Sequence, residues 1–219
     1  MKKNNKILGS ITLLSFLMLV GMSKNVVASE IQKKDTEAEI SFKASKEPLT
    51  IDFAPNLNFS SNEISVYDQV YNATIVDSEN KNMPVYVQVT DNRGALSGWD
   101  LDVKQNGQFE SVSTNHELKG AVIEFKNGEL QTDSLSQPGQ VTEAFKLDPS
   151  GSIQKVMNFS KNQGAGTWKA VFGNESTVED KGDFKVTNSL QLTVPGNSEK
   201  VSDTYKTSFT WILSDVPSN

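Results

Sequence analysis

The sequence of 219 residues contains no cysteine and a single histidine, His116. The first absence excludes disulfides, and with them the lipid anchoring of an exported chain through a cysteine at the end of its leader. The second leaves little for metal sites that need two imidazoles, or for Ser/His/Asp and Cys/His machinery. Beyond residue 20 no apolar run approaches the roughly 20 residues that a membrane-spanning helix needs, so no span is expected in the mature chain. Basic residues are in the minority, with 21 Lys and Arg against 27 Asp and Glu. Helical periodicity is absent from every window of a dozen residues, and no internal repeat is evident. Residues 211–219 (WILSDVPSN) lack the LPxTG signal, apolar segment and basic tail of a sortase substrate, so covalent attachment to the wall is not expected.

What is present begins with a leader. Lys2, Lys3 and Lys6 precede an apolar run at residues 7–20, and small residues then lead to Val26-Val27-Ala28. This order reads as a secretory signal cleaved after Ala28, the run being too short for a retained anchor. Removing residues 1–28 takes away Lys2, Lys3, Lys6 and Lys24 and no acid, so the formal charge moves from −6 to −10. Nucleic acid, anionic lipid and teichoic acid would all repel such a chain. Its partner is expected to be neutral: the glycan or peptide of peptidoglycan, or another protein. The expected location is outside the cell, at the wall.

Residues 29–47 mix charges of both signs with few large apolar groups, and burial there does not offset the entropy of ordering. They read as a flexible spacer, with a short helix around Glu37 as the alternative. From Pro48 the pattern becomes short alternating runs separated by Asn, Gly, Ser and Pro. Leu49, Ile51 and Phe53 alternate in one run, Val85, Val87 and Val89 in the next, and Trp99, Leu101 and Val103 in a third. Further runs lie at 122–125, 153–157, 168–172, 190–194 and 208–213. Turn chemistry stands between them at 91–94, Asn106-Gly107, Asn127-Gly128, Pro138-Gly139, 148–151 and 195–197. Residues 48–219 are therefore expected to form one all-β domain, an antiparallel β-sandwich or barrel, large enough to bury a core without disulfide or metal.

Two tripeptides stand out, Trp99-Asp100-Leu101 and Trp211-Ile212-Leu213, each a Trp-x-Leu inside a strand-like run. Side chains at i and i+2 of a strand share a face, so each tripeptide heads an apolar stripe with an indole. The segments VTDNRGALSGWDLDV (89–103) and FTWILSDVPSN (209–219) resemble the proximal and distal motifs of the WxL domain, a cell-surface module of Gram-positive bacteria. The resemblance continues through residues 49–73, 118–125, 164–173 and 190–196, covering the chain beyond the spacer. It departs at Ser60 and Asp203, where the family often has glycine.

The resemblance implies attachment to the wall by binding peptidoglycan. It also implies work in a surface complex with a WxL-interacting protein and other surface proteins. The chain is then a subunit or adaptor, with no catalytic residue, cofactor or metal expected.

Trp99, Leu101, Trp211 and Leu213 have two readings, contact with ligand or bracing of the core. An indole suits a sugar's C–H face, yet burying a Trp removes about 200 Å² from water, worth about 5 kcal/mol before entropy is subtracted. The flanking apolar residues favour the core. Recognition then falls to the neighbouring turns, at Asp91, Asn92 and Arg93 before the first motif and Ser214 and Asp215 after the second. Trp168, beside Gly164, Gly166 and Gly173, reads as a core residue after a hairpin turn. The acids Glu175, Glu179, Asp180 and Asp183 lack the spacing of a calcium loop. Two other classes of function remain: a wall glycan hydrolase using paired carboxylates, and an interaction protein held at the wall only through its companion.

Overall fold

The computed structural model describes residues 34, 37–46, 48–75 and 85–215. The expected leader over 1–28, its cleavage point and residues 29–33, 35, 36 and 47 of the expected spacer lie outside the described residues. The chain divides into Met1–Ser41 and a compact unit, Phe42–Asn219, and the second carries all the regular structure described here.

Its strands are, in chain order, β1 (Leu49–Phe53), β2 (Gln69–Ile75), β3 (Val85–Asp91), β4 (Trp99–Gln105), β5 (Glu110–Ser111), β6 (Val122–Phe125), β7 (Gly128–Thr132) and β8 (Gln140–Val141). There follow β9 (Phe145–Leu147), β10 (Gln154–Phe159), β11 (Gly166–Phe172), β12 (Val178–Asp180), β13 (Lys185–Val194), β14 (Tyr205–Lys206) and β15 (Phe209–Ser214). One 3-10 turn at Glu175–Thr177 is the sole helical element among the described residues. The fold is all-β and the pairings between its strands are antiparallel.

Three sheets enclose the core, in the orders β1-β3-β11-β7, β15-β4-β10-β8 and β12-β13-β6-β9, and a small β14-β5 ladder stands apart. The long strand β13 also pairs β2, with a register break between Thr187 and Gln191. Alternation explains the layers. In β3, Val87, Val89 and Asp91 are buried while Tyr86, Gln88 and Thr90 stay half-buried. In β11, Trp168 and Ala170 go inward while Thr167 and Lys169 face out.

One continuous hydrophobic cluster draws on all three sheets, and β11 joins its halves. Toward one end Trp168 packs on Phe159, which stacks on Trp99 at 4.1 Å between ring centroids. Toward the other, Phe172 meets Phe125 and Phe145 edge-on, and those two rings stack at 4.7 Å.

The first strand corrects an expectation from the sequence. Leu49, Ile51 and Phe53 were expected on one face, but the β1–β3 register breaks between Ile51 and Phe53, so that Phe53 lies opposite Gln88. The bulge at Asp52 absorbs one residue and turns Phe53 outward, where it is 43% exposed. A bulge changes which face the following side chains take, and it leaves no mark in the apolar spacing.

The family's glycine position at Ser60 has a backbone reason. Ser60 holds φ +62°, in the left-handed region that glycine enters without steric cost. Asp203 is not among the positive-φ residues, and its carboxylate is instead a hydrogen-bonding hub. It accepts from the Ser111 hydroxyl, from Ser113 N at 2.8 Å and from Thr204 N at 2.7 Å. These bonds tie the β14 approach to β5 and hold the Asp203 carboxyl down at about 2, below its ordinary 3.8, the Ser111 hydroxyl being the largest cause.

Candidate functional site

The two Trp-x-Leu segments, more than a hundred residues apart in sequence, become neighbouring strands. β15 pairs β4 with Leu213 opposite Leu101, Trp211 opposite Val103 and Ser214 opposite Asp100. Directly opposed residues of an antiparallel pair share a face, so both leucines and both indoles point into the same layer. The indoles sit at opposite ends of it because the strands run in opposite directions.

Depth differs between the two. Trp99 and Leu101 are fully buried, since β4 is flanked by β15 on one side and β10 on the other. The Trp99 indole donates from Nε1 to the Gly164 carbonyl at 3.0 Å, which satisfies its one polar atom. Gly164 has φ +77°, and a Cβ there would lie 2.7 Å from both Trp99 Nε1 and the Phe159 ring. The glycine-rich turn therefore admits a backbone against a pair of aromatic side chains of the core. Trp211 and Leu213 are half-buried and pack against the core from the sheet's outer strand.

The other face of β4 is polar. Asp100 is fully buried and takes Lys155 Nζ at 2.6 Å together with the Asn158 amide. Asp102 lies 3.6 Å from the same ammonium. Burial is the first cause that pushes the Asp102 carboxyl above its ordinary range, and Lys155 opposes that shift.

The turns before and after the motifs lie at the same end of the β4–β15 pair. Asp91 is buried and receives a two-pronged contact from Arg93, Nε to Oδ1 at 3.0 Å and Nη2 to Oδ2 at 2.9 Å. Arg93 Nη2 also donates to the Gly98 carbonyl at 2.7 Å, fastening the β3–β4 loop just ahead of Trp99. The hydrogen bond to Asp91 is the largest influence raising the Arg93 guanidinium, and the charge of Asp215 adds to it. Asp215 lies one residue past the Ser214–Asp100 pair. Asn92 and Asp215 are exposed and Ser214 is half-buried. The Asn92 backbone closes the loop on the chain before β1, donating to Pro48 O at 2.6 Å.

His116 rests in the loop after β5, its Nε2 3.1 Å from the Glu199 carbonyl. Glu179 pairs with Lys181 at 2.8 Å. Among the described residues no three His, Asp or Glu side chains converge into a metal site, and no helix is long and apolar enough to cross a membrane.

Two open grooves stand out among the described residues. One, of about 520 Å³, follows the loop between β1 and β2 past Ile64, Val66, Tyr67 and Tyr71. Ile64, Val66, Tyr67 and Val70 are all more than half exposed. The other, of about 700 Å³, crosses the outer face of the first sheet at Gln88, Gln131, Thr132, Thr167 and Lys169. The sequence reading singled out neither; its signal for the second was the polar and aromatic half of the alternation in PVYVQVT and TWKAV.

Comparison with known families matches residues 29–217 to the model described as WxL domain surface cell wall-binding. No curated protein matches. No solved structure matches.

Proposed function

Because the chain belongs to the family of WxL-domain surface proteins that bind the cell wall, we propose that it attaches non-covalently to peptidoglycan as a subunit of a bacterial surface complex. The observation that carries this reading is the family match over residues 29–217, joined to the register that sets its two Trp-x-Leu segments side by side. The formal charge of −10 expected after loss of the leader favours the neutral glycan or peptide over anionic wall polymers. Binding rather than catalysis is the activity proposed. Trp99 and Leu101 serve it by bracing the strands, while Asn92, Ser214 and Asp215 offer polar groups at one end of the strand pair.

The complex has its own support. The exposed Ile64, Val66, Tyr67 and Val70 form an apolar strip of the kind that marks a protein contact, which suits a companion such as a WxL-interacting protein. Sedimentation with peptidoglycan sacculi stripped of teichoic acid and protein tests the wall reading, using the chain from residue 29. Pelleting of the wild type is expected at micromolar concentration. Failure to pellet would overturn direct wall binding and leave the companion protein as the means of retention.

A further inference from the structure

We infer that the outer face of the β1-β3-β11-β7 sheet is a binding site for a neutral amino-sugar glycan. This rests on the wall-binding reading above and names the site and the ligand class.

The register aligns one residue from each of the four strands in a single row. Phe53 of β1 lies opposite Gln88 of β3, Gln88 opposite Lys169 of β11, and Lys169 opposite Gln131 of β7. At the usual spacing between strands the row is about 14 Å long, comparable with a short stretch of sugar rings. An aromatic ring stands at one end, amides follow, and an ammonium sits among them. The bulge at Asp52 places Phe53 in this row; regular alternation would have sent it into the core.

The row is pre-organised by its neighbours. Phe53 stacks on Tyr86 with centroids 4.6 Å apart, and Lys169 Nζ lies 5.1 Å from the centroid of that Tyr86 ring. Asp52 accepts from Gln88 Nε2 at 2.9 Å, Thr90 Oγ1 at 2.5 Å and Thr50 Oγ1 at 2.7 Å. Thr90 in turn shares a hydrogen bond with Thr167 at 2.8 Å. These bonds hold the Gln88 amide in place; burial is the largest single influence on the Asp52 carboxyl and pushes it up, but the bonds from Thr90, Gln88 and Thr50 together hold it below its usual range.

The chemistry selects the ligand. A pyranose offers an apolar C–H face and hydroxyls that both donate and accept, and an N-acetyl group adds one amide. An exposed aromatic ring suits the first, because its face is apolar and flat. The Gln131 amide, and the Gln88 amide beyond the bond it gives Asp52, suit the rest, since an amide both donates and accepts; the hydroxyls of Thr132 and Thr167, whose protons go to the Thr167 carbonyl and to Thr90, add acceptors. The groove they line, about 700 Å³ and open, is within the size range of ligand sites. The face carries acids as well as Lys169, Asp52 and Asp133 among them, so it has no cationic surplus to recruit an anionic polymer.

The test uses a tetrasaccharide of β-1,4-linked N-acetylglucosamine, free of peptide, titrated into the isotopically labelled chain from residue 29 while backbone amide shifts are followed. Shifts confined to β1, β3, β7 and β11 are expected. Phe53→Ala should weaken binding about five- to tenfold, and Gln131→Ala and Lys169→Ala about threefold each, with melting curves reporting on folding. Because Gln131 is exposed, its variant still decides the matter if Phe53→Ala fails to fold.

Shifts elsewhere, or unchanged affinity in folded variants, would overturn the site. Shifts seen only with peptide-bearing wall fragments would overturn the ligand class. Sacculus binding without tetrasaccharide binding would sink this inference and leave the wall reading standing. Tetrasaccharide bound at the row without sacculus pelleting would do the reverse.

Discussion

Trp99 and Trp211 head the same tripeptide pattern on adjacent, register-matched strands, yet the first is fully buried and the second half-buried. The difference comes from position in the sheet. β4 has a strand on each side, and the loop through Gly164 closes over its indole. β15 ends the order of its sheet and packs from one side only. The lesson is that a local signature selects the strand and the face, while the depth of burial is assigned by the neighbours.

The sharpest way to break that comparison is to remove each indole. Trp99→Ala should cost about 3–5 kcal/mol in urea unfolding, because the cavity would open against Phe159 and the Gly164 turn. Trp211→Ala should cost about 1–2 kcal/mol, in keeping with its partial burial. Equal losses would mean that the outer strand carries as much of the core as the inner one.

A second contrast lies in the turns that lead into and out of the motifs. Arg93→Ala should cost about 3 kcal/mol, since it leaves the Asp91 carboxylate buried without its cation. Asp215→Ala, at an exposed position, should stay within about 0.5 kcal/mol. Parallel denaturant titrations would read both. A small Arg93 effect would show that Asp91 is solvated on opening of the loop.

Acid sharpens the comparison without mutation. The folded Asp203 carboxyl is depressed to about 2 from an ordinary 3.8, so its stabilisation is present above the unfolded value and is lost as pH falls through the folded one. Between about pH 4 and pH 2 the β14–β5 tie should loosen, and amide exchange in β14 and β15 should rise before exchange in β4. Simultaneous release would show that the outer motif does not lean on that tie. Asp203→Ala should reproduce the acid pattern at neutral pH.

An effect of similarly small size comes from a control outside both motifs. Ser60→Gly should raise stability by about 0.5 kcal/mol, because it relieves a positive φ at a hydroxyl that makes no hydrogen bond among the described residues. Thermal melts would detect the gain, and a loss would mean that the Ser60 hydroxyl has a structural role.

Much of the fold was legible in the sequence. The runs headed by Val85, Trp99, Val122, Trp168 and Leu190 each lie in a strand, because half-buried strands alternate and each residue's face depends on its immediate neighbours. Strand β2 and the first half of β13 were not legible. KVTNS places the polar Thr187 and Ser189 at buried positions, and QVYNATI buries Ala73 alone while its other residues are half-buried or exposed, so periodicity reads both as loop. The short strands β5, β8, β9, β12 and β14 are too brief to carry a period at all.

The site divides in the same way. Composition and order along the chain were enough to determine an acidic, cysteine-free all-β protein whose two Trp-x-Leu runs each present an apolar stripe, since charge, turn chemistry and alternation are local properties. Only the tertiary structure decided that the stripes are adjacent, that Asp91 and Arg93 satisfy each other, and that Phe53 joins Gln88, Lys169 and Gln131 across the outer face. Pairing, register and the bulge at Asp52 depend on contacts between residues far apart in the chain, and those are set by the packing of the whole core.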